Sequence, residues 1–201
     1  MIARKSSEDR KVEILNTTLD LIFEVGADHV TTSMIAARLG LTQPAIYKHF
    51  PKKEDIWHAI TSSLCVQIRD NVARSAQAKA PLLALKRLIL GHLNLVYTTP
   101  ALSEIMATRD PSGNLNDIRR HIHEAMGELR AALHSNLNAA KAAGQLRTGI
   151  ATEDGVMLFF GIIQSLVLRL IVTRNPSIII DDAERLFDLQ LALVTHEGNS
   201  A

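Results

Sequence analysis

The chain has 201 residues, of which 47 % are hydrophobic and 21 % charged, a globular balance that excludes a disordered chain. Gly (10), Pro (6) and aromatics (4 %) are scarce, which argues against a many-turned β sandwich or barrel, and the single cysteine, Cys65, excludes an intramolecular disulfide. The formal net charge is +1, from 22 basic and 21 acidic residues, so charge alone does not announce a polyanion binder.

The chain begins Met1-Ile2-Ala3-Arg4-Lys5 and runs straight into polar sequence, so no secretory leader is expected and a cytoplasmic location is. Val12, Leu15, Leu19, Ile22 and Phe23 recur at helical spacing and predict a first helix that Gly26 stops. Thr31 is placed to cap a short second helix through Ile35, Ala36 and Leu39, ended by Gly40. Thr42 is placed to cap a third, with Pro44 in its first turn and Ile46, Tyr47 and Phe50 on its apolar side. A fourth follows Lys52-Lys53-Glu54-Asp55, with Ile56, Ile60, Leu64, Ile68 and Val72 in a row. Pro81 opens a fifth bearing Leu85, Leu88, Ile89 and Val96, and Pro100 opens a short sixth through Met106. Asp110–Asn114 reads as a loop. Ile118, Ile122, Met126, Leu129, Leu133 and Leu137 mark a long seventh helix closed by Gly144. The eighth is expected over Thr152–Arg174 and the ninth from about Asp181 to His196, with Leu186, Leu189 and Leu193 inward. The fold predicted is all-α.

Gly155–Thr173 has the length of a membrane span, but Gln164 and Arg169 lie inside it. A mid-span arginine is penalised by about 3 kcal/mol on insertion scales. We therefore expect a buried helix and no membrane partner. The eight histidines offer no paired metal ligands. His121 and His123 are two apart and point to different sides of a helix, and His92, His134 and His196 lack a His or Cys neighbour at helical spacing. No catalytic or phosphate-loop motif occurs. No enzyme activity, metal or cofactor is expected.

The informative stretch is Thr31–Asp55, TTSMIAARLGLTQPAIYKHFPKKED. Two short helices joined by Gly40-Leu41 read as a helix-turn-helix. Gln43, Pro44 and Ala45 sit at the N-terminal end of its second helix, the end that reaches base edges in this kind of docking. A glutamine can bond bases or phosphate, while proline and alanine suit thymine methyls. Within residues 1–55 there are 8 bases and 8 acids, yet Thr42–Lys53 holds three lysines, His49 and no acid. Tyr47, Lys48, His49 and Lys53 are expected to reach the DNA backbone, and Arg4 with Lys5 to form an arm. With Thr31, Thr32, Ser33 and Thr42 they complete the expected DNA-binding set.

These residues resemble the TetR/AcrR family of bacterial regulators. Thr31, Ile35, Ala36, Gly40, Thr42, Tyr47, His49, Phe50, Lys53 and Glu54 stand at the family's motif positions. Met34 departs from it, where an acidic capping partner is frequent. The resemblance covers residues 10–57. It implies a helix-turn-helix DNA-binding domain over 1–52 and a larger helical ligand-binding and dimerisation domain over 53–201. It also implies a homodimeric repressor, released from an inverted-repeat operator by a small effector. Trp57, Leu64, His92, Val96, Tyr97, Leu102, Met106, Ile122, Met126 and Phe160 are the candidate effector pocket, and their character implies a mainly apolar ligand. The eighth helix, apolar nearly all round, needs covering on two sides. Gly161, Ser165 and Arg169 fall on one stripe of it, and with Val167, Leu186, Leu189 and Leu193 they are the candidate dimer interface. Two other functions compete: a DNA-anchored adaptor without a small ligand, and a helical carrier of lipid or apolar ligand that ignores DNA.

Overall fold

A computed structural model describes residues 6–107 and 116–196. Among these residues there are nine helices and no strand, only an isolated bridge between Leu146 and Thr195. They are α1 (Ser7–Val25), α2 (Thr32–Arg38), α3 (Gln43–Tyr47), α4 (Lys53–Ser75), α5 (Pro81–Thr98), α6 (Ala101–Ala107), α7 (Asn116–Ala142), α8 (Thr152–Thr173) and α9 (Ser177–Val194). The all-α expectation therefore holds. Arg4, Lys5 and the Asp110–Asn114 loop lie outside the described residues. The chain packs as two compact units. The first takes in the described residues of Met1–Cys65 and Thr99–Ile122, the second those of Val66–Thr98 and His123–Ala201.

In the first unit, α1 starts on a reciprocal cap. The Asp9 amide donates to Ser6 Oγ at 3.0 Å and the Ser6 amide donates to Asp9 Oδ2 at 3.3 Å. Gly26, at φ 90°, ends the helix. The face α1 buries is not the one its apolar residues predict. Ile14, Thr17, Thr18, Leu21 and Ile22 are buried, Val12 is exposed, and Leu15, Leu19 and Phe23 are half-buried. Burying threonine is tolerable because the Thr18 hydroxyl donates to the Ile14 carbonyl at 2.7 Å. A pattern scored on apolar residues alone is blind to that.

The helix-turn-helix forms as predicted. Thr31 Oγ1 accepts the Met34 amide at 3.2 Å. At the other end of α2, the Leu41 amide donates to the Ala36 carbonyl and the Gly40 amide to the Ala37 carbonyl. That pair of bonds needs a left-handed residue after the cap, and Gly40 supplies it at φ 63°. Arg38 forks onto Glu24 through two bonds of 2.9 and 2.6 Å, tying α2 to the end of α1. Ile46 and Phe50 anchor α3 in the core. The α6 helix packs on α1.

In the second unit, α5, α8 and α9 pack together. Phe159 of α8 and Phe187 of α9 lie 5.4 Å apart by ring centroids. Lys86 of α5 covers the Phe187 ring and pairs with Glu184 and Asp188. Two expectations for α9 are corrected. It begins at Ser177 rather than near Asp181, because the Asn175 side chain accepts the Ser177 amide at 3.1 Å and turns the chain into the helix. Its inward residues are Ile179, Ala183, Phe187 and Val194, whereas Leu189 and Leu193 are exposed and Leu186 is half-buried. The α8 helix is long and apolar enough to cross a membrane, and 39 % of its most apolar window is buried within the chain.

One close approach has a measurable consequence. A Cβ on Gly91 would stand 2.0 Å from Asn71 Oδ1, and Asn71 is buried with its Nδ2 donating to the Leu88 carbonyl at 2.8 Å. Gly91→Ala must push that side chain off its partner. We expect a loss of about 2 kcal/mol in urea denaturation, with an unchanged m-value.

Candidate nucleic-acid interface

The candidate surface is built by α2 supporting α3. Thr32 is 6 % exposed and lies beneath two outward side chains. Its hydroxyl accepts from Gln43 Nε2 at 3.1 Å and is 3.3 Å from the Tyr47 hydroxyl. Ser33, exposed on α2, accepts a second bond from Gln43 Nε2 at 2.5 Å. The Tyr47 ring is 41 % exposed, with its hydroxyl held on the far side of the turn. Two threonine positions differ from expectation. Thr32 is a support rather than a surface residue. Thr42 makes no side-chain cap to α3; its carbonyl accepts the Ala45 and Ile46 amides, and its exposed hydroxyl is left outside that ladder. The reason is geometric. Pro44, in the first turn, has no amide to be capped, so a hydroxyl there has fewer donors to meet.

The remaining candidates fall around these two. Thr42, Gln43, Pro44, Tyr47 and Lys48 are exposed, while Ala45, His49 and Lys53 are half-buried. Among the described residues Lys48, Lys52 and Lys53 form no ion pair, so their charges are not neutralised within the fold. His49 Nδ1 lies 3.4 Å from Ser7 Oγ at the start of α1. Ser7 thus positions a residue forty-two places away, a link that no local pattern carries. Thr31 has its hydroxyl committed to the α2 cap. The result is a surface with a polar, hydrogen-bonded centre at Gln43 and Tyr47 and uncompensated cations around it. Such a surface suits phosphate at its edge and base edges at its middle.

The family profile described as bacterial regulatory proteins, tetR family, matches residues 14–60, the span that contains this surface. The HTH-type transcriptional regulator TtgR of Pseudomonas putida is 22 % identical over 198 residues, covering 95 % of this chain and 94 % of that protein. Residues 14–60 thus match the DNA-binding part of the TetR family, and the chain resembles a regulator of that kind along its length. These likenesses support a DNA-binding transcriptional regulator. The fold agrees throughout. The ketosteroid regulator KstR2 of Mycobacterium tuberculosis superposes with a TM-score of 0.78 at 18 % identity, covering 94 % of this chain and 96 % of that one. A FadR regulator of Bacillus subtilis, solved with stearoyl-CoA, gives 0.66 at 18 % identity, over 90 % and 97 %.

The residues named for an effector pocket divide between the units. In the first, Trp57, Leu64, Leu102 and Ile122 are buried and Met106 is half-buried. In the second, His92 and Val96 are buried, Met126 and Phe160 are half-buried and Tyr97 is exposed; it is Phe159, the neighbour of Phe160, that is fully enclosed. His92 stands apart. It is 2 % exposed, its Nδ1 has no hydrogen-bond partner, and burial pushes its imidazole from 6.5 down to about 4. A neutral imidazole with an unmatched nitrogen is the sole buried titratable base of α5. Of the residues named for a dimer interface, Ser165, Arg169, Leu189 and Leu193 are exposed, while Gly161, Val167 and Leu186 are half-buried. A Cβ on Gly161 would meet nothing within 4 Å. Arg169 is 2.5 Å from Asp182 of α9, which Arg185 also contacts.

Proposed function

We propose that the protein is a cytoplasmic homodimeric repressor that binds an inverted-repeat operator and is released by a small, mainly apolar effector. The DNA-binding domain is assigned to residues 1–52 and the regulatory domain to 53–201. The observation that carries the reading is the α2–α3 surface, where Gln43 and Tyr47 are braced from behind and Lys48, Lys52 and Lys53 stand unpaired beside them. Thr31, Thr32 and Ser33 serve that surface as caps and braces. Thr42, Gln43, Pro44, Ala45, Tyr47, Lys48, His49 and Lys53 face the duplex.

Dimerisation is supported by the apolar residues that α8 and α9 leave exposed. Leu168 is 62 % exposed, Val172 74 % and Leu193 66 %. They accompany Met157, Leu158 and Leu189. Exposure on this scale along neighbouring helices marks an association surface. Gly161 and Ser165, on the same exposed side of α8, allow a second helix to approach closely. Two copies then present two α3 helices to successive major grooves. The effector reading is supported by the apolar character of the candidate residues and by the stearoyl-CoA that accompanies the FadR relative. Effector binding acts by favouring a dimer geometry whose two heads no longer match the operator.

The test separates phosphate from base contacts. Lys53→Ala should weaken binding to all duplexes alike and reduce the slope of log affinity against log salt by about 1. Tyr47→Ala should weaken all duplexes without changing that slope, because it carries no charge. Fluorescence anisotropy at several salt concentrations reads both. Unchanged affinity and slope in both variants would sink the assignment of this surface.

A further inference from the structure

We infer that Gln43 reads DNA as a hydrogen-bond acceptor only, so that each half-site carries one position restricted to the bases with an amino group in the major groove, adenine or cytosine. The inference rests on the proposed placement of Gln43 against base edges and adds which bases it accepts. A glutamine amide offers two N–H donors and one carbonyl acceptor. A free one grips adenine at two points, accepting from N6 and donating to N7, which selects adenine alone. Here the amide is not free. Its nitrogen donates to Thr32 Oγ1 at 3.1 Å and to Ser33 Oγ at 2.5 Å. Two acceptors on α2 take its two protons, and the carbonyl Oε1 is the group left for DNA.

The brace also links Gln43 to Tyr47. Thr32 is buried, and its oxygen already receives the Gln43 proton. It also lies 3.3 Å from the Tyr47 hydroxyl, where either oxygen can donate. The chain of bonds runs from Gln43 through Thr32 to Tyr47, with the amide carbonyl at its outer end. Turning the amide over would place Oε1 against the two hydroxyls and require both to redirect their protons toward Gln43. In the major groove an outward acceptor meets N6 of adenine or N4 of cytosine favourably. It meets O6 of guanine and O4 of thymine as acceptor against acceptor.

The experiment is selection of bound fragments from a random duplex pool by the full-length protein, repeated with Gln43→Ala and with the double variant Thr32→Val, Ser33→Ala. Fragments bound by the unmodified protein should show one position per half-site occupied by adenine or cytosine, about fivefold over guanine or thymine. Gln43→Ala should lose the restriction at that position alone. The double variant, whose valine keeps the shape of Thr32, should keep the other positions and admit guanine and thymine at this one, because the freed amide can then turn. Replacing adenine there by 7-deazaadenine should leave affinity unchanged, since N7 is not used. A position that admits only guanine or thymine, or an adenine that needs its N7, would overturn the inference while leaving Gln43 a base reader. A consensus unaltered by Gln43→Ala would overturn the placement of Gln43 itself, and the inference with it.

Discussion

Leu168→Glu combined with Leu193→Glu should convert the protein to a folded monomer and lower operator affinity by about 10²- to 10⁴-fold. The two leucines are 62 % and 66 % exposed in the chain, on α8 and α9, so neither substitution removes a core contact. Circular dichroism should therefore show an unchanged helical signal. In a dimer the same carboxylates would be buried against a second copy without partners, and unpaired buried charge is among the most destabilising changes an interface can take. In the proposed dimer the DNA effect is larger than the loss of any one contact, because the two heads are linked. Once one half-site is held, the second binds at a high effective concentration, and a monomer forfeits that gain. Sedimentation equilibrium and anisotropy on the operator check both parts. A variant that stays dimeric, or a monomer that binds as tightly as the parent, would show that α8 and α9 do not pair the heads.

The second large effect concerns acid stability. His92 is buried, has an unpartnered Nδ1, and is pushed by burial from 6.5 to about 4. In the unfolded chain it takes a proton near its ordinary value, while in the folded chain it stays neutral to about pH 4. Between those limits the unfolded state binds more protons, so stability rises with pH across the window and falls as the solution is acidified through it. The contribution should be about 2 kcal/mol between roughly pH 7 and pH 5, fully present above the unfolded value. His92→Leu removes the titration and the unmatched nitrogen together. Urea denaturation of the variant should give a flatter dependence on pH, the difference from the parent isolating His92 from the carboxylates. Equal slopes in the two proteins would contradict the placement of His92 as a dry, neutral base.

Where structure follows from neighbours in the chain, the sequence is a good guide. Gly26 and Gly40 both stand at positive φ after a helix. Thr31 caps α2 as its position requires. The apolar row Ile56, Ile60, Leu64 and Ile68 is buried along α4. Where the outcome depends on residues far apart, local pattern fails. The buried face of α1 includes threonines, and the Thr18 hydroxyl bonds the backbone, so apolarity misplaces the rotation. Ile178-Ile179-Ile180 is the nearest thing to a strand pattern, yet an asparagine turn sets it into the first turns of α9. Leu189 and Leu193 fit both an inward face and a dimer surface by spacing, and in the chain they face outward.

The candidate recognition surface shows the same division. Its residue types are legible because a helix-turn-helix needs a turn glycine, a short second helix and cations beside it, and these lie within one stretch of sequence. What is not legible is how the surface is held. The bonds from Gln43 to Thr32 and Ser33, from Thr32 to Tyr47 and from Ser7 to His49 join separate parts of the chain. They convert Thr32 from an expected contact into a brace that holds Gln43 and Tyr47. Thr42, expected as a cap, is released from that role by its proximity to Pro44.

The most direct test of a paired, sequence-reading regulator is selection of bound fragments from a random duplex pool by the purified protein at about 150 mM salt, where non-specific binding is weak. The predicted result is an inverted-repeat consensus with half-sites one or more turns of DNA apart, as two linked α3 helices require. A single unrepeated motif, or no enrichment over the starting pool, would contradict it.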